Sequence, residues 1–203
     1  MKIEDLDNWY RDNHTHDYLH RYNLTEDSLV VDVGSFCGKW VKQMNEMYNC
    51  NCIGLEPVGD FYSHSVAQTF RSPEKCLLYN FGLTVECDQE IEMNMDDDGS
   101  SVVPVQNSRK RCSVYLKNAK SFFLEINSHI DVLQINIENY EYYLIPYMFE
   151  NNLFDKVRNI QIQFHDYYED SHSRMCECIE KIESVGFKTR FNYPLVWYGA
   201  SRD

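Results

Sequence analysis

A regular alternation of short apolar runs with amphipathic helical segments constrains the fold more than any other feature of the chain. The run "LVVDVG" (29–34) precedes a segment with apolar residues at helical spacing (39–49), and "CIGLEP" (52–57) follows it. Strand, helix and strand in this order predict a β-α-β unit, whose two strands lie parallel in one sheet.

The alternation continues to the end of the chain. Gly186 is expected to end the last helix, and the close pair of strands after it indicates one antiparallel strand. The sequence therefore predicts an α/β fold with a mostly parallel sheet and helices on both faces. The further strands are expected at 76–83, 131–137, 159–165, 187–191 and 195–200, and the further helices at 118–126, 139–151 and 171–184.

Two segments depart from this pattern. Residues 1–27 indicate an N-terminal helical extension, and residues 86–115, which include "IEMNMDDDGSS", indicate an inserted hairpin or lid. A length of 203 residues suits one domain. We therefore expect a single domain, 1–203, whose α/β core spans 28–203.

The charge of the chain restricts its partners. A formal net charge of −13 repels phosphate backbones and anionic lipids, so we expect no nucleic-acid partner and favour a neutral or cationic one. No run approaches the roughly 18 apolar residues of a membrane span, and the polar N-terminus does not resemble a secretory signal. The eight cysteines lack zinc-site spacing and are expected to be reduced thiols in a cytoplasmic protein.

The first predicted turn carries a ligand-binding pattern. "VVDVGSFCGKW" places Asp32, Gly34 and Gly38 at the end of the first strand, and Glu56 ends the second strand. Ligands of parallel α/β sheets bind at the carboxyl ends of the strands, and glycine lets the backbone approach a ligand closely. A carboxylate at Glu56 can accept both hydroxyls of a ribose. The pattern differs from G-x-G-x-x-G and so predicts nucleoside recognition without a pyrophosphate clamp, although a glycine turn with a packing role is the alternative.

With these motifs in place, the chain resembles the FkbM family of S-adenosylmethionine (SAM)-dependent methyltransferases, within the Rossmann-like class I. The resemblance depends on "LQINIENYE", which aligns with a D-x-E-G-x-E motif, and on "IQIQFH", which ends in His165. Two positions depart from the motif: Asn136 replaces Asp and Asn139 replaces Gly.

The resemblance implies a seven-stranded class I methyltransferase sheet and SAM as the cofactor. It also implies that the first turn lines the methionine and ribose, that Glu56 holds the ribose hydroxyls, and that the "NFGL" turn flanks the adenine. The expected cofactor-binding residues are Asp32, Gly34, Ser35, Gly38, Glu56, Phe81, Gly82, Leu83 and Asn136.

Methyl transfer to a hydroxyl requires alignment of the acceptor and removal of its proton. We expect His165 to be the base, because an unperturbed histidine has a pKa of about 6.5, with Glu138 and Asn136 as further catalytic residues. A histidine that only bonds to Asp166 is the alternative. Glu138, Glu141 and Asp166 are also candidate ligands for a divalent cation, Mg or Mn.

The resemblance further implies an O-methyltransferase that acts on a sugar or glycan, with a deoxyhexose such as rhamnose as a plausible acceptor. Glycosyltransferase domains are the implied partners. Methylation of a small molecule or natural product is one alternative. A binding module that has lost catalysis is another, because Asn136 cannot act as a base.

Overall fold

The computed structural model describes residues 3–12, 17–69, 74–95 and 110–202. The helices are α1 (Ile3–Asp12), α2 (Asp17–His20), α3 (Lys39–Tyr48), α4 (Gly59–Thr69), α5 (Ala119–Glu125), α6 (Glu141–Glu150) and α7 (Ser171–Ser184), with a 3-10 turn at Leu153–Lys156. The strands are β1 (Leu29–Val33), β2 (Asn51–Leu55), β3 (Cys76–Tyr79), β4 (Gly82–Thr84), β5 (Gln89–Met95), β6 (Lys110–Asn118), β7 (Ile130–Ile135), β8 (Val157–Ile162), β9 (Lys188–Tyr193) and β10 (Trp197–Ser201).

Seven strands form the main sheet in the order β3-β2-β1-β7-β8-β10-β9. Strands β3, β2, β1, β7 and β8 pair in parallel, and β10 is antiparallel to both β8 and β9. A short connection joins β9 to β10, as antiparallel pairing allows. The predicted α/β fold, with one antiparallel strand near the C-terminus, is confirmed.

Helices cover both faces of the sheet because side chains alternate along each strand. In β1, Val31 and Val33 belong to the main core cluster, which also contains residues of α5, α6 and α7. Val30 faces the other way and packs with Trp40 and Met44 of α3. In the described residues, no helix is long and apolar enough to cross a membrane.

The segment "CLLYNFGL" forms two strands, although its pattern predicted one. β3 pairs with β2 in the main sheet, whereas β4 pairs with β6 in a separate three-stranded sheet. Between them, the Asn80 side chain donates hydrogen bonds to the backbone oxygens of Glu56 (2.9 Å) and Pro57 (3.0 Å). These bonds hold the chain where it leaves the main sheet.

β5 and β6 pair as an antiparallel hairpin whose register runs from Gln89–Leu116 to Met95–Lys110. Residues 96–109, the remaining part of the predicted insertion, lie outside the described residues. Met93 and Val114 of the hairpin pack with Val58, which directly precedes α4. The small sheet therefore covers the carboxyl end of β2.

A buried ladder of polar side chains crosses the centre of the main sheet. Asp32, Gln134 and Gln161 are register partners on β1, β7 and β8. The Gln134 amide donates to Asp32 (3.0 Å), the Gln161 amide donates to Gln134, and the Tyr22 hydroxyl donates to Gln161. The N-terminal segment thus completes the hydrogen bonding of the ladder, since buried polar groups need partners.

We predict that Tyr22→Phe lowers the free energy of unfolding by about 1–3 kcal/mol, because it leaves a buried amide oxygen of Gln161 without its donor. Tyr10→Phe is the control, because Tyr10 is 67% exposed, and it should change stability by less than about 0.5 kcal/mol. Urea denaturation of the two variants measures the difference. Equal stabilities would contradict a structural role for the ladder.

Candidate functional site

A cleft with about 660 Å³ of empty space, part of it open solvent, lies at the carboxyl ends of β1, β2 and β7, where α/β sheets bind ligands. The small sheet forms one wall, and the loop after β7 forms part of the floor. The lining residues are Val33, Gly34, Phe36, Glu56, Pro57, Phe61, Gly82, Leu83, Met93, Leu116, Asn136, Ile137, Glu138 and Tyr140.

The turn after β1 is held against β2 and β7 by backbone contacts. The amides of Gly34 and Ser35 both donate to the oxygen of Leu55, at 3.0 and 2.9 Å. Gly34 has φ +86°, and a Cβ at this position would overlap the carbonyl oxygen of Asn136. Only glycine fits here, because its conformation and the neighbouring strand both exclude a side chain.

Glu56 presents a fixed carboxylate to the cleft. Its Oε2 accepts the Phe36 amide and its Oε1 accepts the Val58 amide, both at 2.8 Å. Burial raises the pKa of Glu56 to about 7, although the two backbone hydrogen bonds oppose this shift. Each carboxylate oxygen can accept more than one hydrogen bond, so Glu56 can still bind the hydroxyls of a ligand.

Several residues expected at the cofactor lie elsewhere. Asp32 does not line the cleft; it is buried in the polar ladder, where burial raises its pKa to about 7. Ser35 is buried, a Cβ at Gly38 would meet Ser65 of α4, and neither residue lines the cleft. Phe81 lines a second groove beside Phe122, at the opposite side of β4.

The remaining expected residues meet in the cleft. Gly34, Glu56, Gly82, Leu83 and Asn136 all line it. The Asn136 side-chain oxygen is buried and has no hydrogen-bond partner among the described residues. An unpartnered acceptor at a cleft is a position where a ligand donor can bind.

Two carboxylates hold His165 from opposite sides of its ring. Oε1 of Glu141 accepts the His165 backbone amide (2.8 Å) and lies 3.0 Å from Nδ1. Oε1 of Glu138 lies 3.1 Å from Nε2. Burial alone would lower the pKa of His165, but hydrogen bonds and the charges of Glu138 and Glu141 raise it to about 9.

This arrangement changes the role expected for His165. With a pKa of about 9, the ring is protonated at neutral pH and has no lone pair to accept a proton. His165 also does not line the cleft, whereas Glu138 does. The His165 ring therefore lacks the neutral form expected of a base, and Glu138 is the carboxylate of this group that lines the cleft.

The loop between β7 and α6 owes its shape to left-handed backbone conformations. Glu138 has φ +48° and Asn139 has φ +81°. Asn is one of the few residues other than Gly that adopts this region readily, so Asn139 can replace the motif glycine without changing the turn. The turn directs Glu138 and Glu141 to the same histidine.

The carboxylates expected to bind a divalent cation do not form a metal site. Glu138 and Glu141 bind His165, and Asp166 is exposed on the loop that follows. Among the described residues, no group of three or more His, Cys, Asp or Glu side chains is arranged to hold a metal ion.

The structure adds candidate site residues that the sequence pattern did not indicate. The Tyr167 hydroxyl donates to Oε2 of Glu138 at 2.5 Å, and Tyr140 lines the cleft beside Glu138. Phe36 and Phe61 form an edge-to-face pair in the cleft, with ring centroids 4.5 Å apart. The only sequence signal for Tyr167 was its place two residues after the expected site residue His165.

Solved structures with the same architecture are methyltransferases. A Clostridium thermocellum protein assigned as an rRNA methylase superposes with a TM-score of 0.61 and 10% identity, over 94% of each chain. A Streptococcus thermophilus rRNA methylase superposes with a TM-score of 0.55 and 11% identity, over 93% of this chain and 94% of that one. Magnesium protoporphyrin IX methyltransferase from Synechocystis PCC 6803, solved with bound SAM, superposes with a TM-score of 0.52 and 8% identity, over 98% of this chain and 79% of that one. The chain has the fold of class I methyltransferases.

No protein-family model matches the sequence, and no curated protein matches it either. At identities of 8–11%, the similarity to these structures establishes the fold. The chemistry of the cleft has to be argued from its own residues.

We predict that Gly34→Ala lowers the free energy of unfolding by more than about 3 kcal/mol, because the added Cβ overlaps the Asn136 carbonyl. Gly186→Ala is the matched control, since Gly186 also has positive φ (+96°) but no atom lies within 4 Å of an added Cβ. It should cost only about 1 kcal/mol. Urea denaturation compares the two variants, and equal losses would show that the turn does not contact β7 closely.

The His165 arrangement also predicts a pH dependence of stability. Its folded-state pKa of about 9 exceeds the ordinary 6.5, so its contribution is fully present below about pH 6.5 and is lost as pH rises through about 9. The difference in unfolding free energy between the wild type and His165→Gln should therefore fall by at most about 3 kcal/mol between pH 6 and 10. Denaturation across this range measures it, and a difference independent of pH would contradict the charged histidine.

Proposed function

We propose that this protein is a SAM-dependent methyltransferase that transfers a methyl group to a hydroxyl of a sugar or glycan. The observation that carries the proposal is the Glu56 carboxylate, fixed by two backbone amides at the carboxyl end of β2 and facing the cleft beside the Gly34 turn. An acceptor-only group in this position suits the paired hydroxyls of a ribose.

The other lining residues fit the same cofactor. Pro57, Phe61 and Leu83 offer apolar surface for an adenine ring, and the unpartnered oxygen of Asn136 can accept hydrogen bonds from an ammonium group. SAM has a net positive charge, which the acidic cleft attracts. When bound, SAM would supply an electrophilic methyl group on its sulfonium sulfur, with a neutral thioether as the leaving group.

Glu138 is the proposed general base. It lines the cleft, and as a carboxylate it can take the proton that an acceptor hydroxyl loses as its oxygen bonds to the methyl carbon. His165 Nε2 lies 3.1 Å from one of its oxygens, and the Tyr167 hydroxyl donates a hydrogen bond to the other, which orients the carboxylate. The Glu138 and Glu141 carboxylates both lie against His165. Glu138 is therefore proposed to take the proton itself, without a divalent cation bound to the acceptor hydroxyl.

The sugar acceptor is proposed from the "LQINIENYE" resemblance to the FkbM family, which also suggests that glycosyltransferases are partners. Two of the similar structures are rRNA methylases. A net charge of −13 opposes binding to an RNA backbone, which favours a sugar over RNA. A hydroxylated small molecule would use the same base and is the alternative acceptor.

We predict that Glu56→Gln weakens SAM binding by about tenfold or more, because the amide cannot accept at both of its terminal atoms. Glu138→Gln should leave SAM affinity within about twofold and lower methyl transfer by at least about 100-fold. Titration calorimetry and transfer of labelled methyl groups to a sugar panel measure these effects.

Glu150→Gln is the matched control, because Glu150 is exposed at the end of α6, outside the cleft. This variant should change neither SAM affinity nor methyl transfer. Failure of the wild type to bind SAM would overturn the proposal, and binding without transfer to any acceptor would favour an inactive binding module.

A further inference from the structure

An aromatic and acidic surface adjoins the cleft at Glu138. Tyr167 is 48% exposed and Tyr143 is 43% exposed, although both are large side chains. Tyr167 is fixed by its hydroxyl bond to Glu138 at 2.5 Å, and the Tyr143 ring lies 5.4 Å from Tyr140, which lines the cleft. We name Tyr143 and Tyr167 the tyrosine ledge.

The two segments that form the ledge face each other closely. Glu141 at the start of α6 binds the amide and ring of His165, and the Tyr142 hydroxyl donates to the His165 oxygen at 2.6 Å. These bonds fix the loop that carries Tyr167 against the helix that carries Tyr143. The ledge is therefore a rigid surface, and a rigid surface loses little conformational entropy when it binds a ligand.

The charge around the ledge is negative. Residues 136–155 and 159–174 contain seven Asp or Glu residues and one basic residue, Arg174, which pairs with Asp170. Even with a protonated His165, the group of Glu138, Glu141 and His165 has a net charge of −1. A positive ligand is therefore attracted here, and a negative one is repelled.

The protein already binds one cation on this surface. The Arg174 guanidinium lies over the Tyr168 ring, 4.7 Å from its centroid, and pairs with Asp170 at 2.9 Å. Tyrosine faces attract cations through the negative potential of the ring. The Tyr143 hydroxyl also interacts with Arg174. Tyr167 is the exposed ring of the ledge that lies beside a carboxylate, because its hydroxyl bonds to Glu138.

We propose that the tyrosine ledge binds an ammonium group of the acceptor, so that the substrate is a hydroxylated amine such as an amino sugar. The proposal rests on the proposed function, since it places the ammonium group on the Tyr167 side of the ledge while a neighbouring hydroxyl meets Glu138. It adds that the acceptor is positively charged. Neither the fold nor the cofactor specifies this property.

The test measures binding of three methyl glycosides to the protein saturated with S-adenosylhomocysteine: those of glucosamine, glucose and glucuronate. They share one ring and differ in charge, and saturation-transfer NMR detects weak binding. The glucosaminide should bind at least about fivefold more tightly than the glucoside, and the glucuronide should bind most weakly. Tyr167→Ala should remove the preference, whereas Tyr167→Phe, which keeps the ring, should retain it.

Tyr115→Ala is the matched control. Tyr115 is 41% exposed and its hydroxyl also donates to a carboxylate, Asp88, at 2.9 Å, but it does not line the cleft. This variant should keep the wild-type preference. The proposal is overturned if the three glycosides bind equally, if none binds, or if Tyr167→Ala retains the preference.

Calorimetry with SAM on the same samples separates this inference from the proposed function. If the protein binds SAM but shows no preference for the glucosaminide, only the inference that the tyrosine ledge binds an ammonium group is overturned. A protein that does not bind SAM overturns the proposed function, whatever its affinity for the glycosides.

Discussion

The site depends on the close approach of the β1 turn to the end of β7. The Asn136 amide donates to the Val33 oxygen at 2.9 Å, which continues the parallel pairing of the two strands beyond Ile135. The chain after Val33 then passes so near to the Asn136 carbonyl that residue 34 has no room for a Cβ. This contact sets the distance between the proposed cofactor side of the cleft, at Glu56, and the proposed acceptor side, at Glu138.

Charge is distributed unevenly between these two sides. On the cofactor side, two backbone amides fix Glu56, and burial raises its pKa. On the acceptor side, Glu138 is fixed by His165 and Tyr167, and the ion pair compensates its charge. Both carboxylates stabilise the protonated form of the histidine. His165 is therefore better suited to orienting Glu138 than to accepting a proton itself.

Sequence patterns located most of the cleft but not the orientation of its side chains. Gly34 and Glu56 were indicated by their positions at strand ends and Glu138 by the family resemblance, and all three line the cleft. Asp32, indicated by its strand end, and Phe81, indicated by the resemblance, lie elsewhere, in the polar ladder and in the second groove. A strand-end position fixes the neighbourhood of a residue, whereas the register and the next turn decide which way its side chain points.

The sequence by itself determined the α/β alternation, the glycine turn and the polar end of β7, because hydrophobic period and glycine conformation are local properties. The tertiary structure decided the charge of His165, because that charge depends on two carboxylates 24 and 27 residues away in the chain. It also decided that "CLLYNFGL" divides between two sheets, since Asn80 bonds to the backbone after β2. Contacts between distant segments are set by packing, and no local pattern encodes them.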